Sequence, residues 1–166
     1  MKIASLFALG LLAALPGFAA VEEASVRQAI NKLPYYGVFD DLSFELNADG
    51  TVTLTGQVAH PVVRRDAEAA VRRVAGVIQV DNKVEVLPVS YFDDRIRLRA
   101  YRALFGDPAF TRYALLSRSP IRILVKNGNV TLTGVVATEF DRTLAGLRMQ
   151  GLGGTFAVTN QLRVSN

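Results

Sequence analysis

Hydrophobic and polar residues alternate strictly through Leu42 to Asn47, with Leu42, Phe44 and Leu46 on one side and Ser43, Glu45 and Asn47 on the other. After Asp49-Gly50 the alternation resumes at Val52 and Leu54 and runs to Gly56 or Val58. Two such runs joined at an Asp-Gly pair predict a β-hairpin, because the preferred two-residue turn needs positive φ at its centre. The same pattern returns at Ile121, Ile123 and Val125, then Asn127-Gly128, then Val130, Leu132, Gly134 and Val136. Each hairpin has one apolar face and one polar face, so each sheet needs cover on one side only.

Helical periodicity supplies that cover. Val26, Ala29, Ile30 and Leu33 line one face of a helix over residues 22–33, with Glu22 and Glu23 in its first turn and Pro34 beyond its end. Pro61 opens a second helix, whose stripe is Val63, Ala67, Ala70, Val71 and Val74 and whose C-terminal cap is expected at Gly76. Val77, Ile78, Val80, Val84 and Val86 then predict a last strand, which a right-handed crossover sets parallel to the second. The loop aromatics Tyr35 and Tyr36 either pack over the core edge or belong to a binding face.

The second half repeats this order. Asp93 is expected to cap a helix with the stripe Ile96, Ala100, Tyr101, Leu104 and Phe105, while Tyr91 and Phe92 brace the boundary between the halves. A helix over 139–150 carries Phe140, Leu144, Leu147 and Met149, and Phe156, Val158, Leu162 and Val164 form the closing strand. Gly146 inside that helix costs it about 1 kcal/mol relative to alanine and leaves room for a close neighbour.

GTVTLTG at 50–56 and GNVTLTG at 128–134 stand 78 residues apart, and at the same offset Arg64, Gly76, Val80, Asn82 and Val86 recur as Arg142, Gly154, Val158, Asn160 and Val164. Such repetition reads as two small domains of one kind. The expected fold is α+β: two α-β-β-α-β domains, 20–90 and 91–166, each a three-stranded mixed sheet covered on one face by two helices. Residues 88–90 are too short for a flexible linker, so the domains touch or have restricted orientation. The copies differ most at 107–120, a longer connection than 34–41, where a short extra helix fits.

Residues 1–19 have a different character. Lys2, an apolar run from Ile3 to Leu15, and Gly17 and Ala19 before a plausible cut predict a cleavable signal peptide that leaves Ala20 first. The chain has no cysteine, which excludes disulfides and a lipidated cysteine. Export without bridges points to a bacterial periplasm.

GxVTLTG at both positions, Ala75-Gly76-Val77 followed by Val80 and Asn82, and the corresponding Gly154, Val158 and Asn160 resemble the BON domain, the module of bacterial osmotically induced and nodulation-related proteins. The second copy departs from the pattern with Gly154-Thr155 in place of Gly-Val. A tandem pair spanning 22–165 behind a signal peptide resembles the periplasmic OsmY-like and DolP-like members. The resemblance implies a non-enzymatic protein of envelope or osmotic stress associated with phospholipid membranes, and for some members a chaperone of outer-membrane proteins. Gly50 and Gly128 fit hairpin turns, and Gly56 and Gly134 fit places where a side chain would crowd another element.

The candidate chemistry agrees with a binding module. His60 is the one histidine, at a strand-to-helix junction where a cap or exposed strand end is the ordinary role. Asp40-Asp41 and Asp93-Asp94 are paired acids at element starts, so no metal is expected. Gly151-Leu152-Gly153-Gly154 lacks the P-loop lysine and precedes a strand, so no phosphate-cradling loop or cofactor is expected either. Charge is more informative: residues 21–90 hold 7 Lys or Arg against 10 Asp or Glu, and residues 91–166 hold 11 against 5. Arg95, Arg99 and Arg102 recur near helical spacing, Arg97 lies nearby, and Arg112 and Arg118 sit among the aromatics of the insertion. The expectation is that these arginines face anionic phospholipid headgroups while Phe110 or Tyr113 enters the interface. Envelope proteins are the alternative partner, and export argues against nucleic acid.

Overall fold

The computed structural model describes residues 21–165. The predicted signal peptide lies outside them. Two α+β domains are present, each with a mixed sheet packed against helices. In the first, α1 (Glu23–Asn31) and α2 (Pro61–Val71) cover a sheet of β1 (Asp41–Leu46), β2 (Thr51–Val58), β3 (Gln79–Asn82) and β4 (Glu85–Val86). The second repeats this with α3 (Tyr91–Phe105), β5 (Ile121–Lys126), β6 (Asn129–Val136), α5 (Glu139–Gln150), β7 (Ala157–Asn160) and β8 (Arg163–Val164). Its insertion forms a 3-10 turn, Pro108–Phe110, and the short helix α4 (Thr111–Ala114).

The hairpins β1–β2 and β5–β6 are antiparallel, and the last strand of each domain runs parallel to the second. Strand residues of one parity enter the core: Val52, Leu54 and Val58 in β2, and Val130, Leu132 and Val136 in β6, are all essentially inaccessible. They meet Val26, Val63, Ala67 and Val71 in the first domain, and Ile96, Leu104, Ala145 and Met149 in the second. Each fully buried aliphatic side chain contributes roughly 1.5–3 kcal/mol.

The single last strand expected in each repeat is interrupted without a change of register: Leu54 pairs with Asn82 and Gln57 with Glu85, as Leu132 pairs with Asn160 and Val135 with Arg163. An asparagine holds each interruption. Asn82 accepts the Val84 N–H at 3.2 Å through Oδ1 and donates to the Arg64 carbonyl at 3.0 Å through Nδ2. Asn160 does the same with Leu162 N–H at 3.2 Å and the Arg142 carbonyl at 2.7 Å. The kink turns Val84 and Leu162 into the cores. Gly146 stands where the first helix has Glu68, and a Cβ there would lie 2.9 Å from Asn160 Nδ2, so the expected close neighbour is this amide.

Three expectations change. Asp93 does not cap α3; Ser90 does, accepting the Asp93 N–H at 3.2 Å. Gly76 and Gly154 have positive φ, but the C-caps of α2 and α5 are Arg72 and Gly151, and the two glycines turn the chain beyond those ends. In α5 the buried positions are Asp141, Ala145, Gly146 and Met149, whereas Phe140 and Leu147 are exposed. The capping geometry at Thr138 sets that helical phase, because it draws Asp141 inward.

The domains are joined by more than their short connection. Val38 accepts the outward N–H of Ile123 at 2.8 Å, on the free edge of β5, and Val38 and Phe39 pack against the second core. Thr133 donates to Asp41 at 2.7 Å and Lys126 pairs with Glu85 at 2.6 Å.

Gly56 and Gly134 are where the backbone leaves no choice. Their φ values are +114 and +108, and an added Cβ would sit 2.1 Å from the Asp41 carbonyl oxygen and 1.9 Å from that of Pro120. Gly134→Ala is expected to cost roughly 3 kcal/mol, since positive φ and a backbone clash coincide. Gly153→Ala, with nothing within 4 Å, is expected to stay within about 0.5 kcal/mol of the parent. Urea midpoints of the two variants provide the comparison.

Candidate functional site

The insertion does not present its aromatics to solvent. Phe110 is fully buried in the second core and Tyr113 is 6% exposed. The Tyr113 hydroxyl accepts the Ala137 N–H at 2.8 Å and donates to Asp141 Oδ2 at 2.8 Å. At the matching place in the first domain, Asp40 accepts the Ala59 N–H at 2.8 Å and the Gly37 N–H at 2.8 Å. Tyr113 thus replaces a buried carboxylate, which accounts for an aromatic in the longer connection. Neither residue enters a membrane interface in this arrangement.

Arg112 and Arg118 are also engaged. Arg112 pairs with Asp141 and lies 4.9 Å from the Tyr113 ring centroid. Burial pushes the Asp141 carboxyl up, but hydrogen bonds from Thr138 and Tyr113 together with Arg112 outweigh it and hold the group below its ordinary value. Arg118 donates to the carbonyls of Leu33, at 2.8 Å, and Tyr36. Arg97, expected to add to the basic face, is buried on another side of α3, bonded to Asp94 at 2.5 Å and to the Val125 carbonyl at 2.7 Å.

What remains is the stripe Arg95, Arg99 and Arg102 on α3, none of which forms an ion pair among the described residues. With Phe92 they span a sector of about 80° on the helix. Phe92 and Phe156 pack with ring centroids 6.1 Å apart, yet Phe156 is 78% exposed and Phe92 43%. The hairpin tip places them. Asn127 and Gly128 both have positive φ, and their N–H groups donate to the buried Asp93 carboxylate at 2.9 and 2.8 Å. That bond fixes the N-terminus of α3 against the tip, so both rings approach Gly128. Arg99 leans over Gly154, where a Cβ would meet its guanidinium at 3.2 Å. Its Nε is buried without a partner.

Phe92 and Phe156 are the aromatics that sequence reasoning assigned elsewhere, to a domain boundary and to a strand. A signal existed in the repeat: Ile78 and Phe156 each follow a recurring glycine by two residues, each donates its N–H to the turn glycine, Gly50 or Gly128, at 2.9 Å, and both are exposed.

Among the described residues there is no group of three or more His, Asp or Glu placed to hold a metal ion. His60 occupies the N-cap position of α2 without a side-chain cap bond. No helix of the described residues is long and apolar enough to cross a membrane.

The BON domain family model matches residues 22–88 and 108–166. The chain belongs to the BON domain family. The BON domain is a non-catalytic module, generally linked to membrane and envelope association, and two copies stand in tandem here. The match omits α3, which carries the basic stripe. No curated protein matches the chain. Solved structures similar to it include two of CdsD, described as a structural protein of the type III secretion system of Chlamydia trachomatis. One is 14% identical with a TM-score of 0.31, covering 86% of this chain and 92% of the other. The second, of the C-terminal domain, has the same identity of 14% and TM-score of 0.31, covering 87% and 97%.

Asp141 yields a pH-dependent prediction. Its folded pKa lies below the unfolded value, so its contribution is full at neutral pH and is lost as pH falls through the folded value, below 3.8. Asp141→Asn is expected to lower stability by about 2 kcal/mol at pH 7 and to flatten the stability–pH curve below about pH 4. Urea denaturation at pH 7 and pH 3 measures both effects, and an unchanged slope counts against the assignment.

Proposed function

We propose that this tandem BON-domain protein is exported to the periplasm, where it binds anionic phospholipid surfaces peripherally through α3 in envelope maintenance. The observation that carries the reading is the Arg95–Arg99–Arg102 stripe lying beside the exposed Phe92–Phe156 pair. Arginines on one helical face attract anionic headgroups, and adjacent aromatic rings enter the headgroup boundary. The formal charge of +6 over residues 91–166, against −3 over 21–90, orients the second domain toward such a surface. Phe92 and Phe156 take the inserting role first assigned to Phe110 and Tyr113.

Co-sedimentation with phosphatidylcholine vesicles, with and without phosphatidylglycerol, tests this. Binding is expected only with phosphatidylglycerol and is expected to weaken with salt. Each basic residue near the surface contributes about 1 kcal/mol. Replacing Arg95, Arg99 and Arg102 by serine is therefore expected to weaken binding about a hundredfold. Binding that ignores lipid charge and survives the triple substitution removes the proposal.

An alternative, binding of unfolded outer-membrane proteins, draws support from a groove of about 460 Å³ lined by Phe39, Pro88, Val89 and Leu98. It predicts suppression of outer-membrane protein aggregation without lipid. Leu98→Glu is expected to abolish that suppression while vesicle binding persists; no suppression at several-fold excess of the parent protein rejects it.

A further inference from the structure

A second basic feature lies away from α3, in a cleft of about 220 Å³ between the domains. Arg27 of the first domain and Arg122 and Arg163 of the second all line it. Arg122 is held with its guanidinium 4.7 Å from the Tyr36 ring centroid while one N–H bonds the Gly37 carbonyl at 3.1 Å. Arg27 lies 5.3 Å from the Phe44 centroid and pairs with Glu23, both side chains being more than half exposed. Arg163 is exposed and has neither an ion pair nor a side-chain hydrogen bond among the described residues.

A buried hydroxyl joins them. Tyr36 is 7% exposed and lines the same cleft; its oxygen accepts the Leu42 N–H at 3.2 Å, and its own proton has no acceptor among the described residues. Burial lifts this phenol above its ordinary value despite Arg122, so it remains a donor at neutral pH. The one carboxylate of the cleft, Asp41, already accepts the Thr133 hydroxyl at 2.7 Å.

Three guanidinium groups from two domains, of which Arg122 and Arg163 have no carboxylate partner among the described residues, together with a spare hydroxyl donor, outnumber the one carboxylate of the cleft. Guanidinium forks match the oxygens of phosphate, and a neutral ligand leaves their charge uncompensated. We infer that the interdomain cleft binds a phosphate group, supplied by free phosphate or by a phosphomonoester headgroup, through Arg27, Arg122, Arg163 and the Tyr36 hydroxyl. Bound there, the anion bridges the two domains. This site is separate from the α3 stripe.

Arg163→Gln is the informative variant because the Arg163 side chain makes no ion pair or hydrogen bond among the described residues and its β8 backbone pairing is unaffected by the change. Arg27→Gln is the second. Calorimetric titration with inorganic phosphate at constant ionic strength is expected to show saturable binding that either substitution weakens about tenfold. The combined Arg95→Ser, Arg99→Ser and Arg102→Ser variant is expected to leave that affinity unchanged, which separates this site from the membrane proposal. A parallel arm uses phosphatidic acid vesicles with the serine variant as background. Phosphate binding that depends on Arg163 supports the site with free phosphate as a sufficient ligand. Vesicle binding that depends on Arg163, without phosphate binding, supports it with the lipid headgroup as the source. If neither probe responds to Arg163→Gln or Arg27→Gln, the inference is overturned.

Discussion

Four backbone carbonyls following α1, those of Leu33, Tyr36, Gly37 and Val38, accept hydrogen bonds from the second domain. Carbonyls withdrawn from water at an interface need donors, and here Arg118, Arg122 and the Ile123 backbone provide them. This arrangement covers part of the β5 edge, which would otherwise present unpaired backbone to another strand. It also decides which arginines are free. The charge excess of the second domain divides into a part that holds the domains together and a part that faces outward, and only the outward part carries the membrane reading.

The fold was legible to the extent that local rules determine it. Both hairpins stand where they were expected and the range of α5 follows from periodicity. The expected two-residue turn with positive φ at both centres is present at Asn127-Gly128, whereas in the first hairpin only Gly50 has positive φ and the Asn47 N–H bonds the Thr51 carbonyl across a longer loop. The phase of α5 did not follow, because the capping box at Thr138 pulls a carboxylate inward and leaves Phe140 in solvent. Local hydrophobicity likewise could not separate Phe110 from Phe156. Phe110 has a core to fill and Phe156, expected in the closing strand, lies over a hairpin tip, so their exposures differ completely. Asn82 and Asn160 were visible as repeated positions, but an asparagine in a strand gives no sign of which backbone groups its amide will serve.

The two basic features rest on different parts of the architecture. The α3 stripe depends on Asp93 holding the helix against the β5–β6 tip, a contact within one domain. The cleft of Arg27, Arg122 and Arg163 exists only while the domains are docked. One face therefore survives separation of the domains and the other does not, which gives a tandem protein two basic surfaces under unequal structural control.

The asparagine at each strand interruption has a chemical consequence. A primary amide is a donor on one arm and an acceptor on the other, and both arms are in use at Asn82 and Asn160. Hydrolysis of either amide would leave a carboxylate facing the carbonyl oxygen of Arg64 or Arg142, turning attraction into repulsion at the last strand. With no cysteine, the chain carries no thiol to be altered by the redox state around it. Loss of the amide at this shared position would act on the last strand of both domains in the same way.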